Sequence, residues 1–574
     1  MYQSFNFKKL IVENYFFFTI LIYVTSLKYY FIIRNPTTLE SYILASNTHI
    51  FFNAKSFYFL PQSFVDWNHP GTPLFYITSI LFFVYKIFSI KEIYEFLIIS
   101  HFFILIFLIS SIYIFINYFK KFIKKKYLYL FLILFFSFET FLFGIETVDH
   151  VSFFPSLVLL LLIFFHKFTQ QSNIKNLIII IFLIWLSNSL ILSLVSVTVP
   201  LSISLLVFLI LKKHYNLIKY FFVFNILFII ILNFPILGRI PKIFINVIFF
   251  RQETSIHVDS FYYITKNFFT YTIKYLYLYF FIFFYISIKQ LIQTKEIINR
   301  KIDIKIYFLT FLLMLFMFIY TILASSSVNF FMDPAKLRGI GLQNVYASSA
   351  FIFFIFLCNQ NILSGKNYKI VLILSLIIFI VGNYNYINSR KERIAELKTK
   401  ENILHLKINQ IIKSYKTLVV YSDIGYGFGD FTILGRGNSI FAGEKFNNEL
   451  IEAYPNLRYF RMHDVIFKLE NKNFNINRHV LKVDDLIKKY FPKSLQLIFS
   501  PNSLNITTPW IGSPLRSKEM FIKKDNADKI EGIVLNSILI KNNLPALKEY
   551  IKNESKLKNY KEIRIDNDTW YIFY

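Results

Sequence analysis

The chain of 574 residues contains a single cysteine, Cys358, which excludes a disulfide within the chain and a cysteine-rich metal site. Its ten histidines show no H-x-x-x-H or similar metal-binding pairing. Acidic residues are also scarce, since 34 Asp and Glu stand against 62 Lys and Arg and give a formal net charge of +28. Such a charge would suggest nucleic acid as the partner of a soluble protein, so its distribution along the chain has to be considered.

Apolar residues, by contrast, are abundant. They make up 55% of the chain, with 72 Phe and 39 Tyr, which is more aromatic surface than a soluble domain can bury. Runs of about 17–25 apolar residues recur over the first two thirds, and each is long enough to cross a bilayer as a helix. The first run, Ile11 to Ile33, is too long for a signal peptide and is expected to be a retained span. The class is therefore a polytopic α-helical membrane protein.

Loop charges predict the topology of this protein. Most Lys and Arg in the first 370 residues lie in short loops between alternate spans, which argues for an orientation signal and against nucleic-acid binding. The positive-inside rule places these loops and the N-terminus in the cytoplasm. The predicted spans lie near 11–33, 94–119, 127–144, 151–167, 176–193, 195–211, 219–238, 271–288, 306–324, 343–358 and 369–387. The basic loops are 120–126, 166–175, 212–219, 289–305 and 366–369.

One apolar segment does not fit a simple count of spans. Thr72 to Ile90 is apolar enough to cross the bilayer, but a crossing there would invert the charge pattern of every later loop. We therefore expect a juxtamembrane or re-entrant helix in the outer leaflet. The predicted fold is an all-α membrane domain with about eleven transmembrane helices plus juxtamembrane helices, spanning residues 1–387.

The composition changes near residue 388, where a charged, helix-prone stretch begins. Beyond it, 417–421, 495–499 and 569–574 are predicted strands and 483–490 a helix. Residues 388–574 are thus expected to form a mixed α/β soluble domain of ordinary size, outside the cytoplasm.

The first outward loop carries polar groups that could perform chemistry. Glu40 follows the first span, and Asp66 and His69 precede the turn-forming sequence Pro70-Gly71-Thr72-Pro73. A solvated loop explains a lone Glu, and a turn explains the Pro and Gly. Neither explains an Asp and a His placed together at a membrane surface.

A second acidic group lies at the outward junction between two spans, Glu146-Thr147-Val148-Asp149-His150. Glu146 and Asp149 are three residues apart and would share a helix face. An ionisable residue at membrane depth is a functional candidate, and snorkelling to the surface suits Lys or Arg better than a short Asp.

Two cations, Lys336 and Arg338, lie at another outward junction, where basic residues are usually depleted. They bind either lipid headgroups in general or one specific phosphate. Acidic and cationic groups beside the membrane suit transfer of a group from a lipid phosphate. A carboxylate would deprotonate an acceptor hydroxyl, and a cation would hold the phosphate that leaves.

These residues resemble a known family. An acidic residue after the first span followed by Tyr42, then His69-Pro70-Gly71-Thr72-Pro73-Leu74, then Asp149 at an outer junction, is similar to the GT-C superfamily of glycosyltransferases. The similarity covers roughly residues 10–350. It is greatest to the bacterial polyprenyl-phosphate-sugar branch that includes protein mannosyltransferases and aminoarabinose transferases.

The resemblance implies a multi-pass protein of the bacterial inner membrane with outward catalytic loops and a periplasmic C-terminal domain. Its partners would be the bilayer, a polyprenyl-phosphate sugar and a lipid, glycan or protein acceptor, and no nucleic acid. The implied catalytic residues are Glu40, Asp66 and Asp149. The implied substrate-binding residues are Tyr42, His69, Glu146, His150, Lys336 and Arg338.

The chain also departs from the family pattern. Leu39 occupies the first position of the usual Asp-Glu pair, so that either Glu40 or Asp66 could be the base. The Arg-Tyr usual before the late span is absent, and Lys336 and Arg338 are taken as its substitute. No metal ligands are predicted, although use of a divalent metal stays open. Two other functions also stay open: a polymerase or ligase of surface polysaccharide, and a transporter or flippase of cell-envelope glycolipid.

Overall fold

A computed structural model describes residues 7–34, 93–137, 150–190, 194–233, 302–324, 366–411, 418–422, 457–459, 532–536, 557–565 and 568–574, with isolated positions between them. This part of the chain is mostly helical. Its helices are α1 (Phe7–Arg34), α2 (Ile93–Phe119), α3 (Lys125–Phe135), α4 (Phe154–Gln170), α5 (Ile174–Leu190), α6 (Val195–Leu211), α7 (Tyr215–Asn233), α8 (Ile302–Ala324) and α9 (Lys366–Ile411).

The helices agree with the expected membrane class. Each of the nine overlaps a predicted span, because long apolar runs leave the backbone no other way to satisfy its hydrogen bonds in lipid. The overlap is partial for α3, which covers the first half of the span predicted at 127–144. Within the described residues, three helical segments have the length and composition to cross a membrane: Ile98–Phe119, Tyr215–Asn233 and Tyr368–Glu392. The predicted spans 271–288 and 343–358 lie outside the described residues except at single helical positions.

Helices α1, α3 and α9 start together and run in the same direction. The rings of Tyr127, in the first turn of α3, and Tyr368, in the first turn of α9, lie 5.5 Å apart between centroids. Tyr15 of α1 packs against Tyr129 of α3 at 6.2 Å. The N-terminal loop, the loop before α3 and the loop before α9 therefore lie at one end of the bundle.

The helix ends that flank the remaining basic loops lie at that same end. A short turn joins the end of α2 to the start of α3, and α2 ends beside the last turns of α4. The end of α4 in turn meets the end of α6 and the start of α8. The three contacts are Tyr118 with His166 (2.9 Å), Thr169 with Tyr307 (2.8 Å), and Phe168 with Phe208 (5.8 Å between rings).

We call this the basic end, defined by the starts of α1, α3, α8 and α9 and the ends of α2, α4 and α6. The opposite end, where α1 ends and α2 begins, is called the polar end. Phe17 of α1 and Tyr113 of α2 have ring centroids 5.4 Å apart. Because α1 starts and α2 ends at the basic end, the two helices are antiparallel. Arg34 and Ile93 thus both lie at the polar end. This is the arrangement that a juxtamembrane placement of residues 72–90 requires, although that placement itself stays a prediction.

The last helix joins the membrane segment to a β-sheet. At 46 residues, α9 continues without a break through the composition change, so the predicted domain boundary at 387/388 lies inside a helix. Its apolar first half packs on α3, and it also contacts the edge strand β4 of the sheet.

The sheet has five strands in the order β2-β1-β3-β5-β4. β1 pairs in parallel with β2 and β3, and β5 pairs antiparallel with β3 and β4. Successive β5 residues Trp570 to Phe573 are all buried, so both faces of the sheet are covered at β5, whereas Glu562 and Arg564 of the edge strand β4 are exposed. The strands are β1 (Leu418–Ser422), β2 (Leu457–Tyr459), β3 (Gly532–Asn536), β4 (Tyr560–Ile565) and β5 (Asp568–Phe573).

Strands β1 and β5 confirm the strands predicted at 417–421 and 569–574. The predicted helix at 483–490 and the predicted strand at 495–499 lie outside the described residues.

Candidate active site at the polar end

Most of the predicted site residues lie outside the described part of the chain. For His150 the backbone alone is described: it starts the short 3₁₀ helix His150–Phe153 that leads into α4. The predicted residues outside the described ranges are Glu40, Tyr42, Asp66, His69, Glu146, Asp149, Lys336 and Arg338. Their roles therefore stay predictions, and the structure bears on them through the helix ends that flank them.

Those flanking ends lie together. The first loop leaves α1 at Arg34 and returns at Ile93, the acidic junction lies between Ile145 and His150, and the segment with the two cations follows Ala324. All of these positions are at the polar end, because each helix involved has its other terminus at the basic end. The helix ends that flank the three predicted groups thus lie on a single side of the bundle, and the positions of the groups themselves stay a prediction.

Lys28 is the most informative side chain at this end. It lies inside the predicted first span, six residues before the end of α1, and is 1% exposed. Its Nζ donates a hydrogen bond of 2.5 Å to the carbonyl of Ile145, the residue just before Glu146. An ammonium withdrawn from water into a bundle at membrane depth is costly, so such a residue is a functional candidate.

One layer deeper, a hydrogen-bonded set joins α1, α3 and α9. The Tyr23 hydroxyl donates to Oδ1 of Asn383 on α9. The Asn383 amide donates to the carbonyl of Phe136 at 3.4 Å and to that of Phe379 at 2.7 Å. These bonds fix the depth at which the three parallel helices meet.

A second buried cation follows on α9. Arg390 is 6% exposed and lies seven residues, or two turns, beyond Asn383, on the same helix face. That spacing raises it about 10 Å toward the polar end, while Lys28 lies about 7.5 Å beyond Tyr23. The two cations are therefore at similar depth, and both have further interaction partners.

Helix α2 contributes a buried histidine at this depth. From the contact between Phe17 and Tyr113, eleven residues forward on α1 and eleven back on antiparallel α2 bring Lys28 level with Phe102. The adjacent His101 is 1% exposed and has its own interaction partners. We call Lys28, His101 and Arg390 the buried basic layer.

The acidic junction lies close to this layer. Phe153, at the end of the 3₁₀ helix, packs on Phe107 of α2 with 5.6 Å between ring centroids. Helices α2 and α4 run in parallel, so the 3₁₀ helix that starts at His150 lies on the side of Phe153 that faces the depth of His101. Ile145 reaches the same depth from the other side through its bond to Lys28. Of the buried basic layer, Lys28 is the residue whose contact with the described chain beside Glu146 is seen, through its bond to Ile145.

Further polar contacts occupy the polar ends of α5, α6 and α7. Thr198 donates to Oδ1 of Asn188 at 2.6 Å, and the Asn233 amide donates to Ser189 at 2.9 Å. Side-chain hydrogen bonds of this kind hold helices together in lipid. They explain the polar residues in the short hairpin of α5 and α6 without assigning them a role in chemistry.

Two members of the buried basic layer, Lys28 and Arg390, carry a positive charge in a water-poor setting. Such charges act more strongly on an anion brought close to them than they would in water. As for metals, the described ranges contain no group of three His, Cys, Asp or Glu side chains arranged to hold an ion.

Sequence reasoning missed Lys28, His101 and Arg390. A Lys within a predicted span was a usable signal, because ionisable residues at membrane depth are rare. Arg390 gave a weaker signal, since it belongs to a charged stretch that looked like the start of a soluble domain.

Comparison with known proteins identified no relative of this chain. No family model, no curated protein and no solved structure matches the chain.

Proposed function

We propose that this protein is an integral-membrane glycosyltransferase that moves a sugar from a polyprenyl-phosphate carrier to a lipid, glycan or protein acceptor. The observation that carries the proposal is the buried ammonium of Lys28 bonded to Ile145 beside the acidic junction, at the end of the bundle where the other predicted site segments emerge. The positive-inside rule makes the basic end cytoplasmic, so the reaction would take place on the periplasmic face of a bacterial inner membrane.

The proposed reaction has one substitution step. A carboxylate, Glu40 or Asp66, takes the proton of the acceptor hydroxyl, and the acceptor oxygen forms a bond to C1 of the sugar. The bond between C1 and the phosphate oxygen breaks, and the carrier phosphate leaves with the electron pair. Lys336 and Arg338 would bind that phosphate, while Asp149 and Glu146 would orient the sugar near the buried basic layer.

The placement of charge favours a transferase over a transporter. A transporter that alternates access keeps its binding groups near the bilayer midplane, commonly at the ends of broken helices. In the described part of this chain the buried cations Lys28 and Arg390 lie toward one end, beyond the layer of Tyr23 and Asn383.

The test is a transfer assay on the purified full-length protein with labelled polyprenyl-phosphate sugars and a panel of lipid, glycan and peptide acceptors. We expect labelled product with at least one donor. Glu40→Gln or Asp66→Asn should lower turnover by about 100- to 10,000-fold, because loss of a general base has effects of this size. Lys121→Gln is the matched control, since this exposed residue lies at the basic end.

Two results would overturn the proposal. One is transfer by both carboxylate variants at the rate of the Lys121→Gln control. The other is movement of labelled carrier across proteoliposome membranes without any transfer product, which would favour the transporter.

A further inference from the structure

The bond from Lys28 to Ile145 joins parts of the chain that are 117 residues apart. Lys28 is 1% exposed, and one proton of its ammonium is directed at a main-chain carbonyl. Burial of a lysine here costs the free energy of desolvating its charge, whereas an apolar side chain of similar volume would pack without that cost. The charge therefore needs a reason beyond filling the interior.

Holding the helices together is not a sufficient reason. The bonds among Tyr23, Asn383 and Phe136 already join α1, α9 and α3 one layer deeper. Rings of Tyr23 and Phe379, 5.2 Å apart, add to the same contact. What Lys28 adds is a bond closer to the polar end, which holds the main chain at Ile145, the last described position before the acidic junction.

We infer that Lys28 is a positioning residue. Its ammonium holds the backbone at Ile145, and through Ile145 it sets where the segment of Glu146 and Asp149 leaves the bundle. This inference rests on the proposed function for its catalytic consequence, while its structural consequence can be measured without any substrate.

The structural test uses a cysteine reporter inside the junction. In a chain with Cys358→Ser, Thr147→Cys is labelled by a membrane-impermeant maleimide in proteoliposomes, and the initial rate is recorded. Lys28→Met should raise the rate on the order of tenfold, because loss of a charge-assisted bond releases the junction. Lys28→Arg, which keeps the charge and the donor, should stay within about twofold of the parent.

Tyr23→Phe is the matched control, because it removes a hydroxyl from the same helix one layer deeper and leaves Ile145 held. Its labelling rate should equal that of the parent. If Lys28→Met does not fold, Lys28→Gln replaces it and should give a rate between those expected for Met and Arg. Equal rates for the parent and the folded Met or Gln variant would overturn the inference.

The catalytic test uses the same substitutions in the transfer assay. Lys28→Met should lower kcat and leave the donor KM nearly unchanged, and Lys28→Arg should restore much of the rate. A higher donor KM with an unchanged kcat would contradict a positioning role. If the parent protein transfers no sugar but labelling still depends on Lys28, the proposed function fails and the positioning of the junction stands.

Discussion

The hydroxyl of Tyr368 donates a hydrogen bond of 3.0 Å to the carbonyl of Lys126. The bond joins the start of α9 to the start of α3, 242 residues earlier in the chain. The Lys126 ammonium also lies 4.9 Å from the ring centre of Tyr368. Two loops that are basic in sequence are thereby neighbours in space. The positive-inside rule places such loops in the cytoplasm.

The first prediction concerns orientation. Cysteines introduced at Lys124, Asn173 and Lys213, all exposed and all at the basic end, should react with maleimide only after the membrane is opened. The measurement is labelling of intact and lysed cells in a chain with Cys358→Ser. Labelling of the cysteine at position 124 from outside intact cells would contradict the orientation and the juxtamembrane placement of residues 72–90.

The second prediction concerns the hydrogen bond between Tyr23 and Asn383. Tyr23→Phe and Asn383→Leu should each destabilise the helical bundle, and the double variant should lose less than the sum. Side-chain hydrogen bonds between helices in lipid are worth about 0.6–1.7 kcal/mol, so the coupling energy should fall in that range. The measurement is a double-mutant cycle from unfolding in mixed micelles.

The control for this cycle is Tyr29→Phe. Tyr29 is on the same helix but 61% exposed on the lipid-facing side. Its replacement should leave stability unchanged and should show no coupling to Asn383→Leu. A coupling as large as that of Tyr23 would show that the effect is general to α1.

Much of the membrane fold is predictable because it follows from composition. A long apolar run must form a helix in lipid, and each described helix overlaps such a run, three of them with the length and composition to cross a membrane. Strands β1 and β5 were also predictable, since β-branched and aromatic residues dominate them. Strands β2, β3 and β4 were not, because short strands take their identity from the neighbours with which they pair.

The buried basic layer shows why part of the site was not predictable. A Lys inside a span is a signal in the sequence, but Lys28 was passed over because a span is recognised from the average of about 20 residues, in which one charge has little weight. Its partner Ile145 is 117 residues away, a distance that no local pattern bridges. Arg390 was assigned to the soluble side because the composition changes near residue 388, whereas helix α9 continues through that point with Arg390 buried.

The third prediction concerns the sheet at alkaline pH. Burial raises the pKa of the Tyr571 phenol above its usual value, and the charges of Glu562 and Tyr560 add to this, while Arg564 acts in the opposite direction. The raised pKa contributes stability that is complete below the ordinary pKa of tyrosine. This contribution is lost as the pH rises through the folded pKa, because the unfolded chain loses its proton first.

The measurement for the third prediction is fluorescence of Trp570, which is buried beside Tyr571, in a chain where the other three tryptophans are Phe. Tyr571→Phe should delay the exposure of Trp570 as the pH rises above about 10. Tyr574→Phe is the control, since this side chain is 40% exposed at the end of β5. An alkaline transition at the same pH with and without Tyr571→Phe would contradict the assignment.

The fourth prediction concerns the cation that holds the leaving phosphate. Arg338 follows Ala324, the last described residue of α8, at the polar end. Its planar guanidinium can hold two phosphate oxygens at once, whereas Lys acts as a point charge. Arg338→Ala should therefore lower donor use by about 10- to 150-fold, the range expected for a charge-assisted contact, and Arg338→Lys should lose much of the activity as well.

The measurement for the fourth prediction is kcat/KM for the labelled donor. Lys391→Ala is the control, since this exposed cation lies on α9 next to the buried Arg390. General binding of lipid headgroups makes a different prediction, because any cation would then serve. Equal donor kinetics for the parent, Arg338→Lys and Arg338→Ala would decide for headgroup binding.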